Sequence, residues 1–174
     1  MFSIRHYPNR IFIISVLCIS LSACGYRFAG SGNLPEGIKS ICITMFENCT
    51  GEIGIEAVFT NDIIHEFTRN SNVYLTSVEK AEAVLSGTVR SVNIETLSRD
   101  GQSAALERRV RLALDLKLAD REGKVVWSVK NVSGNEAYKV MPDKLATEHN
   151  RQDAISEISE RLAESVYYQL TDNF

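Results

Sequence analysis

From residue 109 to residue 118 the chain alternates without a break. Val110, Leu112, Leu114, Leu116 and Leu118 are interleaved with Arg109, Arg111, Ala113, Asp115 and Lys117. Successive side chains of a strand point to opposite faces, so this period of two predicts a strand with one face in a core and the other in water. Upstream, Ile38 to Phe46 also alternates, with Ile41, Ile43 and Met45 on one face, and reads as a strand; Asn48 to Gly51 reads as a turn. From Glu52 the period changes. Ile55, Val58, Phe59, Ile63 and Phe67 fall at helical spacing, Glu52 and Glu56 suit the positive end of the helix dipole, and Arg69 to Asn72 marks its end.

Val73 to Ser77 is a short extended piece. Ala83 to Leu97 is rich in β-branched residues, but its alternation slips between Val89 and Val92, which suggests a bulge or a strand covered on both faces. Asp120 to Lys124, with Gly123, is a hairpin turn; Val125, Trp127 and Val129 then open a last strand whose pattern carries on, with interruption, to Val140. Ile155, Ile158, Leu162, Val166 and Leu170 make a second helical stripe. Two amphipathic helices cover one face of a sheet. The expected fold is therefore an α+β two-layer sandwich of about four strands with two helices on one face, in the order β-α-β-β-β-α.

The N-terminus follows another logic. Arg5, His6 and Arg10 precede an apolar run, Ile11 to Leu21, of 11 residues. That is short of the roughly 20 residues a membrane-spanning helix needs, but it fits the core of a signal peptide. Leu21-Ser22-Ala23-Cys24 resembles the bacterial lipobox: small residues admit a peptidase, and the cysteine thiol takes up diacylglycerol. The expected organisation is a signal peptide at 1–23, removed with Cys18; a lipidated tether at 24–37, rich in Gly; and one α+β domain at 38–174. Cys24 is the lipidation site, and its covalent lipid is the only prosthetic group expected. Gly25 stands where enteric lipoproteins carry Asp for inner-membrane retention, which leans towards the outer membrane.

Without residues 1–23 the chain has 151 residues, with 17 basic against 22 acidic side chains. This is the size of one domain, and its mildly acidic balance argues against nucleic acid as a partner, because phosphate neutralisation needs clustered Lys and Arg. Cys42 and Cys49 remain. The oxidising periplasm leaves pairing open, but seven strand residues at ~3.3 Å each hold the thiols apart unless the chain folds back, so both read as free, packed thiols. Asn48-Cys49-Thr50 and Asn131-Val132-Ser133 match the glycosylation sequon and read as accidents.

Little in the residues suggests catalysis. His65 lies in the first helix and His149 just ahead of the second, both read as surface histidines. Neither a metal-binding His or Cys spacing nor a Gly-rich phosphate loop is evident, so no catalytic or metal site is expected.

Taken in order, Cys24-Gly25-Tyr26-Arg27-Phe28, Leu34-Pro35, Phe46-Glu47-Asn48-Cys49-Thr50, Phe59-Thr60-Asn61-Asp62, Ala81 to Gly87 and the tip Arg99 to Ala104 resemble the LptE family of outer-membrane lipopolysaccharide-assembly lipoproteins. The resemblance implies a non-enzymatic protein, lipid-anchored in the outer membrane on its periplasmic side or within a barrel lumen. Its implied partners are an LptD-like β-barrel, which it plugs and helps assemble, and lipopolysaccharide. It also implies basic lipopolysaccharide contacts at the loop end of the sheet. One falls on Arg99; the second falls on Glu148, a departure from the family pattern, with Lys144 close enough to substitute. Arg108, Arg109 and Arg111 form a further basic group, of which Arg109 and Arg111 point off the core face. The alternative function is a lipoprotein that binds and activates a peptidoglycan enzyme of the cell envelope. A small periplasmic hydrolase would require a pocket converging on His65 or His149.

Overall fold

The alternation at 110–118 is realised in full: Val110, Leu112, Leu114, Leu116 and Leu118 are all buried. The computed structural model describes residues 34–70, 73–99, 101 and 105–171. The expected signal peptide, Cys24, and the tether as far as residue 33 lie outside the described residues. A short 3-10 turn (Pro35–Gly37) leads into β1 (Ser40–Ile43) and β2 (Glu47–Asn48). Then come α1 (Ile55–Asn70), β3 (Tyr74–Leu75), β4 (Ala83–Arg99), β5 (Ala105–Asp120), β6 (Val125–Lys139) and α2 (Lys144–Thr171).

The α+β class stands, with helices on one face of a sheet, but the described residues form a six-stranded mixed sheet in the order β3-β1-β4-β5-β6, with β2 also beside β4. The strand read at 38–46 ends at Ile43, and a second strand, β2, follows beyond it, with Asn48 inside the stretch read as a turn. Ile43 pairs with Leu85, yet Glu47 pairs with Thr88, so one extra residue is accommodated between them. That bulge reverses the inside-outside parity. Met45, read on one face with Ile41 and Ile43, is 61% exposed, while Phe46 is 3% exposed in the core and donates its N–H to Thr60 Oγ1 at 3.0 Å. The two-residue β3, parallel to β1, is the remaining addition.

The slip between Val89 and Val92 is a true bulge: the β4–β5 register shifts between Val89 and Ser91. The interruption of β6 lies at Asn131, whose φ is 55°, and its N–H is taken up by Asp115 Oδ1 at 2.8 Å. The Asp120–Lys124 turn closes on Asp120 Oδ1, which accepts the Lys124 N–H at 2.8 Å, with Gly123 at φ 83°.

All five residues of the second helical stripe are buried, but α2 starts at Lys144, so His149 lies inside it and is exposed. The helices pack on each other through Phe67 and Tyr167, edge to face at 5.2 Å, and Tyr167 Oη donates to the Asn70 carbonyl at 2.8 Å. Leu34 and Pro35 are buried, so the packed domain begins inside the stretch read as tether. The thiols are free as read, but only Cys42 is partly buried; Cys49 is exposed.

Candidate functional site

The hairpin of β4 and β5 outruns the helix layer. Along β4 burial alternates as far as Val89, yet from Asn93 to Leu97 every residue is exposed. Ile94 pairs with Val110, which is buried under the helices, so Ile94 looks out on the helix side just past the end of that layer. The result is a step: the rim of the helix layer on one side, the overhanging hairpin on the other. Ile53, Ile94, Leu97, Leu106, Met141 and Leu145, more than half of the exposed large hydrophobic side chains among the described residues, lie at this end.

Both basic positions taken from the family resemblance come to this end on separate elements. Arg99 closes β4 and Lys144 opens α2; both are exposed. Arg108 pairs with the buried Tyr138 and so faces the helix side, whereas Arg109 and Arg111 lie on the open side opposite Glu95 and Asn93. Arg111 reaches Glu95 at 3.9 Å. The end therefore combines apolar and cationic groups, the chemistry an anionic amphiphile requires.

The sequence reading missed the residue that ties this rim together. Arg151 makes a bidentate pair with Glu52, Nη1–Oε2 at 2.7 Å and Nη2–Oε1 at 2.9 Å, and a second pair with Glu148, Nε–Oε2 at 2.9 Å. Its side chain is only 14% exposed. The hydrogen bonds it donates to Glu148, then those to Glu52, hold the guanidinium firmly charged, its pKa raised above the ordinary value. Arg151 in turn holds the Glu148 carboxyl below the usual carboxylate range. So the departure at Glu148 has a structural use, and Glu52, just ahead of α1, also serves an ion pair. The i,i+3 spacing of Glu148 and Arg151 was the one visible signal.

Arg151→Met is expected to lower stability at pH 7 by about 1–3 kcal/mol, the range for charge-assisted hydrogen bonds. Because the folded-state pKa of Glu148 is depressed, its contribution is present above the unfolded pKa and fades as pH falls through the carboxylate range. Denaturant titrations at neutral and acid pH should show the gap between wild type and variant closing on acidification. A constant gap would mean that packing of the Arg151 stem, not its charge, is what counts.

The open face of the sheet differs in kind. Ser86, Lys117 and Ser128 form one row across β4, β5 and β6; Ser91, Ala113 and Ser133 form another; Asn93, Arg111 and Asn135 a third. A shallow trough on this face runs between Met45 and Glu47 on one side and Ser128 and Lys130 on the other. The layers are also oppositely charged: α1 and α2 carry eight acidic against four basic side chains, β4 to β6 eight basic against five acidic. His65 is exposed beside a groove lined by Asp62, Glu66, Arg69, Glu160, Arg161 and Glu164, and His149 is exposed on α2 away from it. Among the described residues no group of His, Cys, Asp and Glu is arranged to hold a metal ion.

A family model described as LptE, lipopolysaccharide-assembly, matches residues 38–170. No curated protein matches the chain. Among solved structures, lipoprotein B from Nitrosomonas europaea is similar over 84% of this chain and 90% of its own, at 14% identity and a TM-score of 0.56. The rare lipoprotein B from Shewanella oneidensis is similar over 75% of this chain and 92% of its own, at 16% identity and a TM-score of 0.54. A lipoprotein from Caulobacter crescentus is similar over 72% and 87%, at 16% identity and a TM-score of 0.50. At such identities the likeness concerns the fold.

Proposed function

This chain belongs to the LptE, lipopolysaccharide-assembly, family, and from that premise we propose that it is an outer-membrane lipoprotein that seats inside a large LptD-like β-barrel. There it supports assembly of the barrel and passage of lipopolysaccharide to the outer leaflet, without catalysis. The observation that carries this reading is the open face of the sheet. A long face of Ser, Asn, Arg and Lys, left uncovered by the helices, is costly to cover with an apolar partner but suits the polar interior of a barrel. Its length suits it as well. The 17 residues of β4, at ~3.3 Å each, span about 55 Å, more than the roughly 30 Å hydrocarbon core.

Affinity purification of the tagged, lipidated protein from gently solubilised outer membranes should bring down a large β-barrel in stoichiometric amount. A clean sample without one sinks the reading, and recovery of a peptidoglycan synthase instead would favour an activator. For lipopolysaccharide, the amphiphilic hairpin end is the proposed contact. Arg99→Glu together with Lys144→Glu should weaken binding to purified lipopolysaccharide about tenfold, equivalent to about 1.4 kcal/mol. Unchanged binding would remove these two residues from the contact.

A further inference from the structure

We propose that α2 guards the outer edge of β6 against strand addition, and that the strand it keeps out is β6 of a second copy of this chain. The inference concerns a surface that the barrel reading leaves unassigned, and it holds whichever protein is the partner.

On the β1 side of the sheet the outermost strands, β3 and β2, are two residues each and offer little to pair with; on the other side β6 runs for 15 residues. A long edge presents rows of unpaired N–H and C=O groups, which recruit another strand unless something blunts them. Val140 donates its N–H to the Leu106 carbonyl at 2.9 Å, one step past the Glu107–Lys139 pair. Hydrogen-bonded and non-hydrogen-bonded pairs alternate along an antiparallel ladder, and the register holds without a shift from Glu107–Lys139 to Leu114–Val132. Val132, Gly134, Glu136 and Tyr138 therefore bond to β5, while Ser133, Asn135, Ala137 and Lys139 turn their N–H and C=O groups outward. Just upstream the left-handed Asn131, at φ 55°, interrupts the edge.

Side chains meet three of these outward groups. Asn150 Nδ2 donates to the Lys139 carbonyl at 2.9 Å, and Arg161 Nη2 donates to the Asn135 carbonyl at 3.1 Å. Glu136 Oε1 accepts the Ala137 N–H at 3.3 Å, while its other oxygen pairs with Arg161 at 2.8 Å. Glu157, one turn back on α2, lies 3.8 Å from the same guanidinium. The helix can reach round the strand because it lies directly on it: a Cβ on Gly134 would stand 2.7 Å from Ile158 Cγ2. The spacing fits as well. From Asn150 to Arg161 the helix rises ~16 Å, close to the ~13 Å that the strand covers from Lys139 back to Asn135. An incoming strand needs both carbonyls as acceptors and has to displace both side chains to reach them. With the two side chains gone, the same edge of a second copy matches it antiparallel, by a two-fold rotation.

The test uses the full chain, as the cell processes it, purified from membranes in detergent. Native mass spectrometry counts copies of the chain per complex, and hydrogen exchange reads the edge amides. Wild type should show one copy per complex, with or without a barrel, and fast exchange at Ser133 and Asn135. Asn150→Ala with Arg161→Ala should pair at least tenfold more tightly, and exchange at Ser133 and Asn135 should slow at least tenfold in the pair. Adding Ala137→Pro should return single copies: the N–H of Ala137 faces outward, so the ring removes no bond to β5 but obstructs an approaching strand. If the double variant loses its fold, Arg161→Ala alone still bares the Asn135 carbonyl and should shift the same way. Wild type already paired through this edge, variants that stay single, pairing that leaves the two amides exchanging fast, or pairing that survives Ala137→Pro would each overturn the proposal.

Discussion

Cys24→Ser is expected to release the protein from the membrane almost completely. On the proposed lipidation of Cys24, each buried lipid methylene contributes about 0.8 kcal/mol and stable attachment takes two or more chains, so losing the thiol would remove nearly all of that anchoring free energy at once. The described domain offers little to replace it: none of its helices is long and apolar enough to cross a membrane, and its buried face is consumed by the core. The described domain should be intact, since Cys24 lies ahead of Leu34, the first described residue of its core. Carbonate-washed membranes from cells expressing the variant should therefore contain little of it, the periplasmic or unprocessed fraction should gain what they lose, and the purified domain should melt like wild type. Retention in the washed membranes would mean that partner contacts alone hold the protein there, which would transfer the anchoring role from lipid to barrel. If lipid serves to present the domain to the barrel, the barrel level should fall with the anchor.

These expectations draw on features of unequal legibility in the sequence. The strand at 110–118 was plain because one of its faces is core and the other water, the condition under which period two survives in the residues. The break between β1 and β2 was not. Ile41, Ile43 and Met45 keep the period of a continuous strand, and nothing local shows that Thr44 to Phe46 bulges until Phe46 is seen lying over β4. The first turns of α2 were missed because Lys144 to Asn150 carry no apolar stripe: none of these residues is buried, so the burial signal vanishes there while the helical backbone continues. Arg99 and Lys144 were singled out through likeness to a family, and the structure puts them at one end. Arg151 and Glu52 stand 99 residues apart. Their pairing is a property of the assembled layers, and no spacing rule reaches that far.

Phe46 and Gly87 provide the sharpest test of the bulge, because each explains the other. A Cβ built on Gly87 would lie 2.4 Å from Phe46 Cε2 and 2.6 Å from Cδ2, so the ring rests directly on the glycine backbone. Gly87→Ala must displace the ring or bend β4, and overpacking of this kind costs about 1–3 kcal/mol. Phe46→Ala removes a ring that is 3% exposed and leaves a cavity beside α1, at a cost of about 3–5 kcal/mol. If the ring and the missing Cβ compete for the same space, the two losses cannot add: once Phe46 is truncated, the methyl of Gly87→Ala enters the vacated volume without a clash. The double variant should then be no less stable than Phe46→Ala alone, a coupling of about 1–3 kcal/mol in a double-mutant cycle read by urea denaturation. Additive losses would separate the two residues energetically and leave the break between β1 and β2 without its cause. Non-additivity would show that the extra residue in this edge strand exists to turn Phe46 inward, which is how a strand too short to pair throughout still closes the core beneath the hairpin.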